Sequence, residues 1–146
     1  MAALADAAGL LTAPPAEPPL GLVGRRQLRS NNSWMHNLPV LAGGSNTCTL
    51  LVHPDDAARL GIIDGDDARI STSTGTVVAP VVVTDDVRPG VVCLPHGWGH
   101  TATDVWGATA REQAGANVNT VVGSADIDVL SGTSVLAGIP VDVTRA

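Results

Sequence analysis

The stretch from His53 to His100 constrains the fold more than any other part of this sequence. It reads as a short helix, two alternating apolar strands and a third strand that ends in a glycine-bracketed tryptophan. Pro54 suits a first helical position, where its missing N–H costs nothing, and Asp55 and Asp56 complement the positive end of the helix dipole. Ala57, Ala58 and Leu60 give a small apolar face, and Gly61 is placed to stop the helix in a left-handed conformation. After the Asp64-Gly65-Asp66 turn, Ala68, Ile70 and Thr72 alternate with Arg69, Ser71 and Ser73, the period of a half-buried strand. Thr74-Gly75 reverses the chain, and Thr76 to Thr84 returns as a valine-rich strand. Pro80 within it predicts a bulge, a bend or an unpaired edge position. Asp85, Asp86, Pro89 and Gly90 form the next turn, and Val91 to Leu94 a buried strand. Helix, hairpin, turn and strand in this order describe a compact, mainly β domain.

The flanks extend the pattern. Leu20 to Val23 predicts a first strand, Cys48 to Val52 a buried one and Gly138 to Thr144 a closing one. Residues 39–47 read as a loop around Gly43-Gly44, and residues 101–116 as a loop with a helical turn near Ala108 to Gln113. A chain of 146 residues is expected to form one domain, and without Phe or Tyr its core must be Val, Leu, Ile and Ala. Residues 1–19 read as a Pro/Ala-rich linker or disordered tail, which leaves residues 20–146 as the expected domain. A natural protein could begin this way, but the stretch reads better as the start of a piece cut from the end of a longer polypeptide.

Composition removes several function classes. A net charge of −6 argues against a general nucleic-acid grip. The apolar runs are too short to span a membrane, and the Ala-rich start lacks the basic region of a signal peptide. Two cysteines, Cys48 and Cys93, do not make a secreted disulfide scaffold. A cytoplasmic, reduced setting follows.

Polar residues gather at three places. Arg25, Arg26 and Arg29 form the densest positive cluster, followed by Ser30, Asn31, Asn32 and Ser33. Arginine forks beside a polar loop suit a phosphate or pyrophosphate; the plainer reading is a solvated turn. Trp34, Met35 and Leu38 read as core or as ligand wall, with core preferred. In His96-Gly97-Trp98-Gly99-His100 the glycines permit close backbone approach, and Trp98 either stacks on a flat heterocycle or closes one end of the β domain. Asn117 and Asn119 share a face if their segment is extended, where two amides can read the donor and acceptor edge of a heterocycle; otherwise they cap a turn. Cys93, His96 and His100 have zinc-like spacing but no second compact ligand pair. No Gly-x-Ser-x-Gly elbow, Gly-x-Gly-x-x-Gly fingerprint or P-loop occurs, and the Asp64–Asp67 turn lacks the closing Glu of a calcium loop.

Taken together, Arg25-Arg26-Gln27-Leu28-Arg29-Ser30-Asn31-Asn32-Ser33-Trp34-Met35-His36-Asn37, the His-Pro-Asp-Asp-Ala helix start, the Asp-Gly-Asp turn, the Pro89–Gly99 run and Asn117-Val118-Asn119 resemble the C-terminal domain of molybdopterin oxidoreductases of the dimethyl sulfoxide reductase family. That family includes formate dehydrogenases and nitrate reductases. The resemblance covers residues 20–146 and implies a double-psi β-barrel of about six strands that encloses a molybdenum or tungsten cofactor, holding a molybdopterin guanine dinucleotide. It implies that Arg25 and Arg29 lie near phosphate or pterin and that Ser30, Asn31, Asn32 and Ser33 form a polar cradle. Met35 falls where relatives also have Met, His96 and Trp98 line the cofactor, and Asn119, with Asn117, contacts the pterin. No iron–sulfur cysteine cluster or metal ligand is evident here; the resemblance implies that these belong to preceding domains of the same polypeptide, so the isolated chain is expected to lack the cofactor and to be inactive. A stand-alone β-barrel serving protein interaction is the alternative, because one fold carries unrelated functions.

Overall fold

The computed structural model describes residues 20–101, 107–124 and 127–146, so the tail expected at residues 1–19 lies outside the described residues. Six strands form a closed barrel: β1 (Leu20–Arg25), β2 (Leu50–Val52), β3 (Asp67–Ser71), β4 (Thr76–Val83), β5 (Val91–Pro95) and β6 (Ile139–Arg145). Around the barrel they run β1-β5-β2-β4-β3-β6, and β6 pairs back onto β1. Closure leaves no sheet edge to be covered.

The pairing scheme has an internal twofold. Parallel β1–β5 corresponds to parallel β4–β2, and antiparallel β1–β6 corresponds to antiparallel β4–β3. The antiparallel pairs β2–β5 and β3–β6 each map onto themselves. Two interlocked halves of this kind, each threading a strand between two others, make the double-psi β-barrel.

The core follows from period-2 alternation. Ala68 and Ile70 of β3 and Ile139, Val141 and Val143 of β6 point inward, where they meet Leu22, Leu50, Val52, Val81, Val92 and Leu94. Aliphatic side chains fill this small barrel without any Phe or Tyr, as expected.

The expected helix is present as α2 (Pro54–Leu60), after a shorter α1 (Pro39–Ala42). His53 caps α2, its Nδ1 accepting from the Asp55 amide at 3.2 Å, and Gly61 ends it at φ 66°. Buried Asp56 accepts from Arg59 at 2.9 Å and from the Gly90 amide at 2.7 Å, which fastens α2 to the turn before β5. The expected helical turn after residue 101 appears as α3 (Ala108–Glu112).

Several expectations change. Part of the loop expected at residues 39–47 is helical, because Pro39 occupies the first helical position and the Leu41, Ala42 and Gly43 amides donate back to Leu38 and Pro39. Pro80 is neither bulged nor unpaired: it faces Asp67 at the last β4 residue paired with β3, and Val81 is the first paired with β2. The missing N–H therefore falls where β4 passes from one partner to the other. Trp34 is not core but 82% exposed, since the loop carrying it turns its indole outward.

Candidate functional site

The parallel pairing of β1 and β5 sets Arg25 beside Pro95, so the loops leaving these two strands emerge together at one end of the barrel. The His96 amide donates to the Arg25 carbonyl at 3.0 Å, which carries the contact past the strand ends. In the first loop, the Gln27 carbonyl accepts from the Ser30 amide at 3.2 Å, the Asn31 amide at 3.3 Å and the Ser30 hydroxyl at 3.0 Å. Asn31 and Asn32 have φ of 41° and 67°, a region that asparagine tolerates better than most residues. In the second loop Gly97 has φ 93°, and a Cβ there would lie 1.3 Å from the Asn32 carbonyl oxygen. Only glycine lets these loops touch.

Between the first loop, the Leu41–Ser45 segment, Thr47 and Trp98 lies a cavity of about 440 Å³. Arg29, Ser30 and Trp98, expected as site residues, line it, together with Gln27 and His36. Arg29 donates from Nη2 to the Val40 carbonyl at 2.8 Å, and its other guanidinium donors have no partner among the described residues. Gln27 donates to the Thr47 carbonyl at 2.7 Å and accepts from Trp98 Nε1 at 3.0 Å, joining three parts of the wall.

Arg25 is placed differently. Its Nη1 donates to the Cys93 carbonyl at 2.7 Å, and its Nη2 to the Thr49 carbonyl at 2.8 Å and hydroxyl at 3.1 Å. The guanidinium thus clips the end of β1 to β5 and to the approach of β2, while Arg26 pairs with the Asn32 side chain. Ser33, Met35 and His96 are half-buried around the loops rather than in the cavity wall. The His96 pKa is lowered by burial and then by the nearby Arg26.

Asn117 and Asn119 do not share the face of an extended segment. Residues Val118–Thr120 form a short 3-10 turn, capped by the Asn117 side chain accepting from the Asn119 amide at 3.1 Å. A short polar side chain competing for nearby amides explains the turn. The segment still reaches the site's edge: Gly99 and His100 both donate to the Ala114 carbonyl, at 2.8 and 3.0 Å, and Gly99 packs against Asn117. Asn119 itself is exposed.

Trp98 is buried in the core and also forms one wall of the cavity. Against it packs His36, at a ring-centroid distance of 4.2 Å. Sequence reasoning assigned no site role to His36 or Gln27. His36 is buried by a partner far along the chain, with its Nδ1 2.5 Å from Nε2 of His100. The zinc-like spacing of Cys93, His96 and His100 gathers no metal cluster among the described residues. Both cysteines are free; Cys48 accepts from the Ala116 amide at 3.2 Å, and burial raises its pKa, so it serves as a protonated core group. No helix of the described residues is long and apolar enough to cross a membrane.

The arrangement fits a phosphorylated heterocycle. The cavity offers unpaired guanidinium donors at Arg29, an indole wall at Trp98 and a buried nitrogen, His36 Nε2, without a hydrogen-bond partner among the described residues. Polar groups at a few points of an otherwise apolar concavity are the ordinary composition of a ligand site.

Residues 20–140 match the family model described as the molydopterin dinucleotide binding domain. The chain is 34% identical over 131 residues to the dimethyl sulfoxide/trimethylamine N-oxide reductase of Rhodobacter capsulatus, covering 87% of this chain and 15% of that protein. It is 32% identical over 122 residues to the arsenate respiratory reductase molybdopterin-containing subunit ArrA of Chrysiogenes arsenatis, covering 77% of this chain and 14% of that one. The fold superposes on acetylene hydratase from Pelobacter acetylenicus with a TM-score of 0.72 at 22% identity, over 89% of this chain and 19% of that one. The chain therefore spans less than a fifth of the length of these relatives. It belongs to the molydopterin dinucleotide binding domain family.

Proposed function

We propose that this domain closes over a molybdopterin guanine dinucleotide, carrying molybdenum or tungsten, as part of a larger cytoplasmic oxidoreductase with formate dehydrogenase- or nitrate reductase-like chemistry. The observation that carries this reading is the cavity walled by Arg29, Ser30 and Trp98 in a chain of this family. Preceding catalytic and iron–sulfur domains of the same polypeptide are its partners. Free, buried cysteines support the reducing compartment.

When bound, the cofactor supplies the redox centre; this chain's residues bind and orient it. Arg29 offers its remaining donors to phosphate oxygens. Ser30, held on the Gln27 carbonyl, fixes the loop, and Asn31, Asn32 and Ser33 complete a polar cradle pressed against Gly97. Met35 and His96 flank that cradle, Trp98 gives a flat wall, and Asn117 holds the turn that presents the Asn119 amide. Arg25 acts one step back, by holding the strand ends from which both loops spring. Without the other domains the isolated chain carries no cofactor of its own and does not turn over.

GDP, as the guanine nucleotide half of the cofactor, tests the reading through the three tryptophans. Saturable quenching that weakens roughly 10- to 100-fold in Arg29→Ala, as expected for a lost charge-assisted hydrogen bond, supports it. Absence of any response at millimolar GDP contradicts it. One observation favours a second reading as a protein-interaction barrel: Leu28 and Trp34 of the first loop and Val40 of α1 are 97%, 82% and 85% exposed. Self-association or partner binding that Trp34→Ser abolishes, with no GDP response, would select it.

A further inference from the structure

Resting on the dinucleotide reading above, we infer that His36 is a ligand-contact residue of the cavity: its Nε2 hydrogen-bonds the polar edge of the cofactor's heterocycle rather than its phosphates, and His100 is the positioning residue that sets its tautomer. The geometry leaves the imidazole one polar function to offer. Its Nδ1 edge lies 2.5 Å from His100 Nε2, and the ring packs on Trp98 at 4.2 Å. His36 is 3% exposed and lines the cavity, and its Nε2 has no hydrogen-bond partner among the described residues. A buried polar nitrogen without a partner is unfavourable, and a ligand group seated against that edge would satisfy it.

The imidazole pair also selects the kind of group. Burial, and for His36 the adjacent His100, lowers both pKa values and keeps the pair neutral at physiological pH. A neutral pair shares one proton across the short contact. With that proton on His36 Nδ1, Nε2 is an acceptor; with it on His100 Nε2, His36 Nε2 carries a proton and donates. Guanine and pterin present the same 2-amino-4-oxopyrimidine edge, with N–H donors beside a carbonyl acceptor, so either tautomer finds a match. Phosphate, fully charged, is better served by Arg29 in the same wall.

The test uses the whole chain, labelled with 15N in its imidazoles, and long-range 1H–15N correlation spectra. Three probes are titrated separately: 6-hydroxymethylpterin, GDP and inorganic pyrophosphate. A shift of the His36 Nε2 resonance with the pterin or with GDP, and none with pyrophosphate, is the expected result; the probe that causes it identifies the heterocycle at this wall. His36→Gln, checked for an unchanged melting transition, is expected to bind that heterocycle about tenfold more weakly while keeping its pyrophosphate affinity. The wild-type spectra decide the matter without the variant if it misfolds. A heterocycle probe that saturates without moving His36 Nε2, or pyrophosphate that moves it, overturns the inference and leaves the dinucleotide reading standing. Failure of all three probes to bind overturns both.

Discussion

Replacing Gly97 by alanine separates the two loops that frame the site. Gly97 has φ 93°, and the added Cβ would sit 1.3 Å from a backbone oxygen, that of Asn32, which cannot rotate away like a side chain. Ordinary contact begins near 3.4 Å, so one loop must retreat by about 2 Å. The backbone strain contributes about 1–3 kcal/mol and the overpacking about 1–3 kcal/mol more. Gly90 supplies the control, since its φ is 81° but a Cβ there meets nothing within 4 Å. Gly90→Ala therefore carries the strain alone. The difference between the two variants, about 1–3 kcal/mol, corresponds to a further fall of roughly 2–12 °C in melting temperature for a domain of this size. Thermal unfolding followed by circular dichroism, with GDP titration of the folded variants, reads both effects. Gly97→Ala is expected to melt below Gly90→Ala and to lose GDP affinity, whereas Gly90→Ala keeps it. A Gly97→Ala protein that melts with Gly90→Ala and binds GDP normally would refute the contact between the loops.

Arg25→Met keeps the apolar stem but removes the donors to Cys93 and Thr49; urea unfolding is expected to show a loss of about 2–4 kcal/mol, and Arg25→Lys to recover only part of it because an ammonium cannot fork between two strands. The His36–His100 pair makes stability depend on pH. Both pKa values are lowered in the folded state, so the unfolded chain binds more protons as the pH drops through the ordinary imidazole value of about 6.5. Stability is fully present above that value and declines as pH falls below it; denaturation midpoints between pH 8 and 5 should show this slope, and His100→Gln should flatten it.

The scaffold was legible where local chemistry and tertiary packing agree. Pro54, the aspartates and Gly61 bound the helix from within its own few residues, and alternation set Ala68 and Ile70 on one face of β3 before any partner was known. The twofold of the barrel left no repeat in the sequence, because it lives in which strands pair and not in which residues form them. The two loops were legible as polar clusters, but the division of labour among their arginines was not. Arg25 and Arg29 lie on one short segment, yet only tertiary geometry spends Arg25 on carbonyls and leaves Arg29 on the cavity. His36 gave no signal because its burial depends on His100, distant in sequence, and on Trp98. Trp34 misled because an apolar residue beside a ligand loop has the same appearance whether it faces the core or solvent.

Mapping amide chemical-shift changes on the whole chain as GDP is added reports both whether a guanine nucleotide binds and where. Saturable shifts concentrated at Gln27 to Ser30, at Gly43 to Ser45 and at Trp98, with the β3–β4 hairpin unaffected, are the expected result. Saturable shifts confined to that hairpin, or no shifts at millimolar nucleotide, would contradict it.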